Sequence, residues 1–320
     1  MRVLVVGGAG YVGSVLSRKL WEEGHEVTVL DAMAFGAESL LGLNGRERFR
    51  LVRGDIRDPE LLAEVVPGHD AICLLAAIVG EPACNRDTEA AVETNLGGAR
   101  KVLAAAREAG VERFVFASTC SNYGVADSDG AVSEEAPLQP LSTYSETKVQ
   151  AELEILEAAS ADFCPTVLRL STAFGVSSRM RFDLLVSDFT LAAVRDRKIV
   201  IFGEQFWRPF VHVEDIAQAF MLTLGAEREL VSGEVFNVGA NSNNTQKIEL
   251  GEKVQSAVAG TELEFVKRDT DPRSYRVDFA KIHDRLGFEA KWSIEDGIEE
   301  VHEALAAGVW ADPGDGRFKN

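Results

Sequence analysis

The sequence predicts an α/β protein with a doubly wound parallel sheet and a smaller C-terminal lobe. Three observations predict it. Short apolar runs of strand length alternate with longer amphipathic stretches through the first half of the chain. The runs are continuously apolar, as strands covered on both faces are. The first run also passes directly into a glycine-rich turn that opens a helix-like stretch.

Taken in order, the apolar runs lie at 3–6, 26–30, 49–52, 71–76 and 114–117. Helix candidates lie at 11–23, 58–65, 89–109 and 142–159, and a further strand at 166–170. This alternation predicts right-handed βαβ units. Beyond residue 175 the pattern is less regular. A helix at 182–194 precedes a strand at 199–202, an apolar segment at 209–211, a helix at 213–224 and a strand at 235–238. Helices at 246–259, 280–286 and 294–307 and a strand at 263–266 complete the chain. The expected organisation is a nucleotide-binding domain over 1–175, with 205–240 returning to it, and a second lobe from 176–204 and 241–320. The polar stretch 125–140 reads as an exposed loop, and the tail after Trp310 is expected to fray.

Bulk properties narrow the function classes. The 320 residues carry 33 Lys+Arg against 51 Asp+Glu, a net charge of −18. Nucleic acids and anionic membranes need a basic face, so neither is expected as a partner. The four cysteines contain no CxxC pair, and the five histidines show no ligand spacing with them, so neither disulfides nor a metal site is expected. The N-terminal apolar run is too short for a signal peptide, and nothing approaches a membrane span. The chain reads as cytoplasmic.

Gly7-Gly8-Ala9-Gly10-Tyr11-Val12-Gly13 follows a strand and opens a helix. Gly7 permits the tight turn, Gly10 lets backbone approach a pyrophosphate, and Gly13 lets the helix pack close to the sheet. The helix N-terminus, with Tyr11 and Val12 in its first turn, offers N–H donors and partial positive charge to phosphates. Asp31 ends the second strand, where a carboxylate bonds the adenosine ribose and repels a 2′-phosphate. No arginine follows it closely, so NAD is expected over NADP. Asp55 and Ile56, after the third strand, are placed to border the adenine.

Tyr144 and Lys148 are four residues apart and share a helix face. A phenol with its ordinary pKa near ~10 is a poor base at neutral pH. A neighbouring ammonium and a positive nicotinamide ring are expected to lower that pKa. Tyr144 then takes a hydroxyl proton while hydride leaves, and Thr119, ending the fifth run, holds the same oxygen.

These residues, with Gly54-Asp55-Ile56, Ala76-Ala77, Asn95, Ser118-Thr119, Tyr123-Gly124 and the segment from Arg208 to Asp215, make the chain resemble the extended short-chain dehydrogenase/reductases. Within them it resembles the nucleotide-sugar epimerase/dehydratase family over nearly its whole length. The resemblance implies a Rossmann-type NAD domain, a nucleotide-diphosphate sugar substrate and a homodimer joined along 89–109 and 142–159. It implies that Thr119, Tyr144 and Lys148 are catalytic. It places Ala76, Ala77, Asn95 and Ser118 at the cofactor, with Asn95 ordering the neighbouring helix. Thr119, Thr172, Arg208 and Arg273 fall at the substrate, the two arginines clamping its diphosphate. His212, flanked by Val211 and Val213, reads as structural. Arg179 and Arg181 either bind substrate or are solvated charges at a helix start, and both readings stand.

The family divides at the two positions after the catalytic threonine. Dehydratases resemble Thr-Asp-Glu there, and related decarboxylases keep a Glu, whereas this chain has Thr119-Cys120-Ser121. Elimination at the neighbouring carbon then lacks its acid/base. Epimerisation at C4 or net reduction of a 4-ketosugar remains. Asp31 favours the first, because biosynthetic reductions usually draw on NADPH. A binding protein that merely senses the cofactor is the remaining class, and it need not keep Tyr144 and Lys148.

Overall fold

The computed structural model describes residues 1–125, 130–267 and 273–320. Asp271 and Pro272, which precede Arg273, and part of the 125–140 loop lie outside the described residues. Twelve strands are formed among those described: β1 (Arg2–Val6), β2 (Glu26–Asp31), β3 (Phe49–Arg53), β4 (Ala71–Leu74), β5 (Arg113–Thr119), β6 (Cys164–Leu170), β7 (Thr172–Phe174), β8 (Lys198–Phe202), β9 (Trp207–His212), β10 (Glu234–Val238), β11 (Asn244–Gln246) and β12 (Glu262–Val266). Seven of them form one parallel sheet in the order β10-β6-β5-β4-β1-β2-β3.

The chain leaves β1 toward β2 and β3 on one side and returns to β4 on the other. The strand order therefore reverses between β1 and β4, and a crevice opens at the carboxyl ends of those strands. Helices cover both faces, which is why the strands are continuously apolar. Over one face lie α1 (Tyr11–Glu22) and, much later in the chain, α8 (Val213–Gly225). Over the other lie α2 (Pro59–Val65), α5 (Ala99–Glu108) and α6 (Thr143–Glu157). The helix expected over 89–109 is not uniform. After the short α3 (Glu81–Arg86) come α4 (Thr88–Val92), a π-helical stretch at Glu93–Gly98 and then α5. A one-residue widening of this kind commonly marks a functional position.

The remaining strands make two small sheets, β11-β9-β7 and β12-β8. Around the latter pack α7 (Leu185–Asp196), α10 (Lys247–Ala257) and α12 (Ile294–Ala306), with Phe174, Phe189, Ile199, Ile201 and Ile298 in a separate apolar cluster. The helices α9 (Arg228–Val231) and α11 (Ala280–Leu286) lie beside β10 and its neighbours.

The tail does not fray. Phe182 stands edge-on to Trp310 and Phe318, with ring centroids 5.0 and 5.8 Å apart, and its backbone N–H donates to the Phe318 carbonyl at 2.9 Å. Burying two aromatic rings outweighs the entropy of ordering the last few residues.

Candidate active site

The glycine turn is built for close approach. Gly7 has φ +88°, and a Cβ there would sit 2.6 Å from the backbone nitrogen of Ala76 at the end of β4. A Cβ on Gly13 would strike the carbonyl of Gly7. Only bare backbone lets α1 begin this close to the strand ends, so its first N–H groups, which lack helical partners, face the crevice. Asp31 accepts from the Ala9 N–H at 2.9 Å and from the Met33 N–H at 2.7 Å. The same carboxylate thus orders the glycine turn and marks the end of β2. This cradle and acidic strand end fit a dinucleotide.

The other residues expected at the cofactor take varied positions. Ala76 and Ala77 follow β4 directly beneath the Gly7 turn. Asn95 lies in the π stretch. Its amide oxygen accepts from the Ile78 N–H at 2.7 Å and its amide nitrogen donates to the Ile78 carbonyl at 3.0 Å. It therefore pins the loop after β4 to the π-helical stretch. Ile56 is buried against Gly98, where a Cβ would collide with it. The Asp55 carboxylate is engaged by Arg57 at 2.6 Å, a hydrogen bond that holds it below the usual carboxylate range. Ser118 turns its hydroxyl inward, donating to Glu152 at 2.8 Å, so that hydroxyl is not offered to the crevice. The Tyr11 ring is buried, and its hydroxyl donates to the Gly175 carbonyl at 2.6 Å.

Thr119 ends β5, and Tyr144 and Lys148 lie on the first turns of α6, which Ser142 caps by accepting from the Ser145 N–H. The fold brings Tyr144 beside Thr119, close enough for the threonine side chain to act on the phenol, while the Thr119 hydroxyl accepts from the Ser121 N–H at 3.1 Å. Lys148 is 2% exposed, donates to the Ala117 carbonyl at 2.9 Å and lies 4.6 Å from the Phe116 ring centroid. Burial pushes its pKa down to about 8.

Burial works against the expected acidic phenol. Burial raises Tyr144 to about 12, while the nearby charges of Arg181 and Arg273 and the Thr119 hydrogen bond oppose the rise. The reason is balance: desolvation of a phenolate outweighs two guanidiniums and one hydroxyl when the pyridinium charge of a cofactor is not acting.

Cys84, from α3, is a neighbour the sequence did not single out. Its thiol donates to the Ile78 carbonyl at 3.3 Å, and its charge, were it ionised, would act on both Tyr144 and Lys148. Burial raises its pKa, so it stands there as a neutral group.

Arg208 is buried on β9, donates to its own strand at the Trp207 carbonyl at 2.8 Å and also to the carbonyl of Arg273. Arg273 in turn donates to the Ser121 hydroxyl at 3.4 Å. The two arginines thus meet beside the turn that follows Thr119. Thr172 begins β7, paired in register with Phe210. Arg181 forms a two-pronged pair with Asp183, at 3.0 and 2.7 Å. Neither Arg181 nor Arg179 is a solvated charge, since both are buried. His212 is fully buried, stacked on Trp292 with ring centroids 4.1 Å apart and 3.0 Å from the Glu300 carboxylate, as its structural reading expects.

Cys120 and Ser121 stand where carboxyls were sought. The Cys120 thiol points inward, donating to the Arg169 carbonyl at 3.2 Å, and burial pushes it up to about 12. The largest influences on Tyr144 are its burial, the charges of Arg181, Cys84 and Arg273 and the Thr119 side chain.

Comparison with known proteins gives the family and the fold. The model of the NAD dependent epimerase/dehydratase family matches residues 3–239. The low-salt glycan biosynthesis protein Agl12 of Haloferax volcanii is 34% identical over 93% of this chain and 96% of its own. A dTDP-glucose 4,6-dehydratase from Streptomyces venezuelae, solved with NAD bound, superposes with a TM-score of 0.86 at 28% identity, covering 97% of this chain and 98% of that one. A UDP-glucose 4-epimerase from Thermotoga maritima, solved with UDP-glucose, gives 0.86 at 26%, covering 97% of this chain and all of that one (100%). Among the described residues no helix is long and apolar enough to cross a membrane.

Proposed function

The chain belongs to the NAD dependent epimerase/dehydratase family, and from that premise we propose that it is a 4-epimerase of a nucleotide-diphosphate sugar. One observation carries the choice over a dehydratase. The two positions after Thr119 hold an inward-facing thiol and a hydroxyl that accepts from Arg273, so no acid/base stands ready to expel water from the carbon beside C4.

When bound, NAD supplies a hydride acceptor and donor. The protein's own residues supply the rest. Tyr144 carries the C4 hydroxyl proton at its phenol oxygen. Thr119, beside that phenol, orients the same hydroxyl. Lys148 brings a buried positive charge to the same helix face, which favours the phenolate. Arg208 and Arg273 anchor the diphosphate, two planar forks matched to its oxygens. An anchor at the diphosphate leaves the sugar free to present either face. Asp31 selects NAD by repelling a 2′-phosphate.

The test is product NMR on a panel of UDP-, GDP-, ADP-, dTDP- and CDP-linked hexoses and heptoses, without added reductant. Inversion at C4 with no net consumption of cofactor supports the reading. A 4-keto-6-deoxy product makes the protein a dehydratase, and turnover only with stoichiometric NADH makes it a ketoreductase.

A further inference from the structure

We propose that Arg179 is a ligand of the dinucleotide's diphosphate, a donor from the far side of the fold that closes over the cofactor. The proposal rests on the family's use of NAD and adds to it a residue that sequence order hides.

Three observations carry it. The first is position. The Ser177 hydroxyl donates to the Tyr11 carbonyl at 2.7 Å and meets the Ser14 hydroxyl at 3.1 Å. The segment leading to Arg179 is therefore seated on the first turn of α1, the helix that the glycine turn opens. The second is surroundings. The Arg179 guanidinium lies 4.0 Å from the ring centroid of Phe35, just beyond β2, and is close enough to Asp31 to feel its charge. It thus spans from the helix N-terminus to the acidic strand end, the two features that flank a bound dinucleotide.

The third is unmet hydrogen bonding. Arg179 is 7% exposed, and only its Nη2 has a partner, the Lys319 carbonyl at 3.2 Å. Its Nε and Nη1 are buried with none. Asp183, the nearest acid in sequence, is engaged by Arg181. No other side chain among the described residues has two orphaned buried polar atoms. A buried guanidinium with idle donors is costly and is relieved by an oxyanion with two acceptors. A 2′-phosphate is not that anion, because the Asp31 carboxylate acts on the same region and repels it. The substrate's diphosphate has its own arginines in Arg208 and Arg273.

The test uses the full-length protein stripped of cofactor, with Arg179→Met and Arg179→Lys beside wild type. Calorimetric titration with NAD, ADP-ribose, NADP, UDP-glucose and dTDP-glucose is paired with thermal melting of each apo protein. Losing two charge-assisted bonds is expected to weaken NAD and ADP-ribose about 10- to 100-fold in Arg179→Met. Arg179→Lys, with charge but no fork, should fall between. The apo melting temperature of Arg179→Met should not drop, because an unpaired buried charge has been removed. A structural role predicts the reverse, and a lowered apo melting temperature with unchanged NAD affinity overturns the proposal. So does weakening confined to the nucleotide sugars, or wild-type affinity for NADP matching that for NAD. Wild type that binds no NAD at all overturns the cofactor reading itself, a result distinct from variants that leave a measurable NAD affinity unmoved.

Discussion

Glu152 and Arg169 form a buried ion pair that ties the helix carrying Tyr144 and Lys148 to β5 and β6. Arg169 Nε donates to Glu152 at 3.1 Å, and the other carboxylate oxygen accepts from Ser118 at 2.8 Å, the residue beside Thr119. Arg169 also donates to the Tyr123 hydroxyl at 2.9 Å. Glu152 lies one turn beyond Lys148, so α6 cannot slide along β5 without breaking this pair. Glu152→Gln leaves a buried guanidinium uncompensated and should cost about 3–5 kcal/mol of stability. Replacing both partners with apolar residues should cost less than either single change. Urea unfolding of the three variants checks both statements, and a double variant as weak as the sum of the singles would refute the pairing.

Tyr144 should ionise late in the cofactor-free protein and earlier with NAD. The chain has only four tyrosines. Burial raises all four, and Tyr144, at about 12, lies below the Tyr11 and Tyr123 values. An ultraviolet titration of wild type minus Tyr144→Phe therefore isolates its phenolate band above pH 10. Adding NAD should move that band down, since the nicotinamide carries positive charge. The same variant should fold normally and lose about 10²–10⁴ in kcat. Full activity in Tyr144→Phe ends the assignment.

The dimer expected from the resemblance has a direct test on α6. Leu153 is 53% exposed there, and Arg100 on α5 pairs with Glu154 across the same surface. We propose that this face meets its copy. Leu153→Glu should convert a dimer to monomer in sedimentation velocity at micromolar protein. Identical sedimentation of wild type and variant would remove α5 and α6 from the interface.

The parallel sheet was legible because strands covered on both faces need unbroken apolar runs, as at Val3 to Val6. The glycine turn, Asp31 and the Tyr144–Lys148 spacing were legible because each requirement is local in sequence. What stayed hidden depends on contacts between distant segments. Asn95 reaches back to Ile78, Arg273 to Ser121, and Arg179 to Phe35, and no local pattern encodes those meetings. The opposing effect of burial on the phenol is hidden for a related reason. Spacing reveals a neighbouring charge, but desolvation depends on how deeply the finished fold buries the pair. The tail was misjudged because its anchor, Phe182, is more than a hundred residues away.

Lys148 should leave a pH signature in stability. Its pKa is depressed from 10.5 to about 8 by burial. Between those values the unfolded chain holds a proton that the folded chain has released. Stability then rises with pH across that window. Below about pH 8 both states hold the proton, and the penalty of burying the ammonium is present in full. Lys148→Met carries no such penalty at any pH. Its stability relative to wild type should therefore fall as pH goes from 8 to 10.5. Urea midpoints of the two cofactor-free proteins, measured at half-unit steps, give the difference directly. A flat difference across the window would mean that the ammonium is solvated or paired in solution and keeps its ordinary pKa.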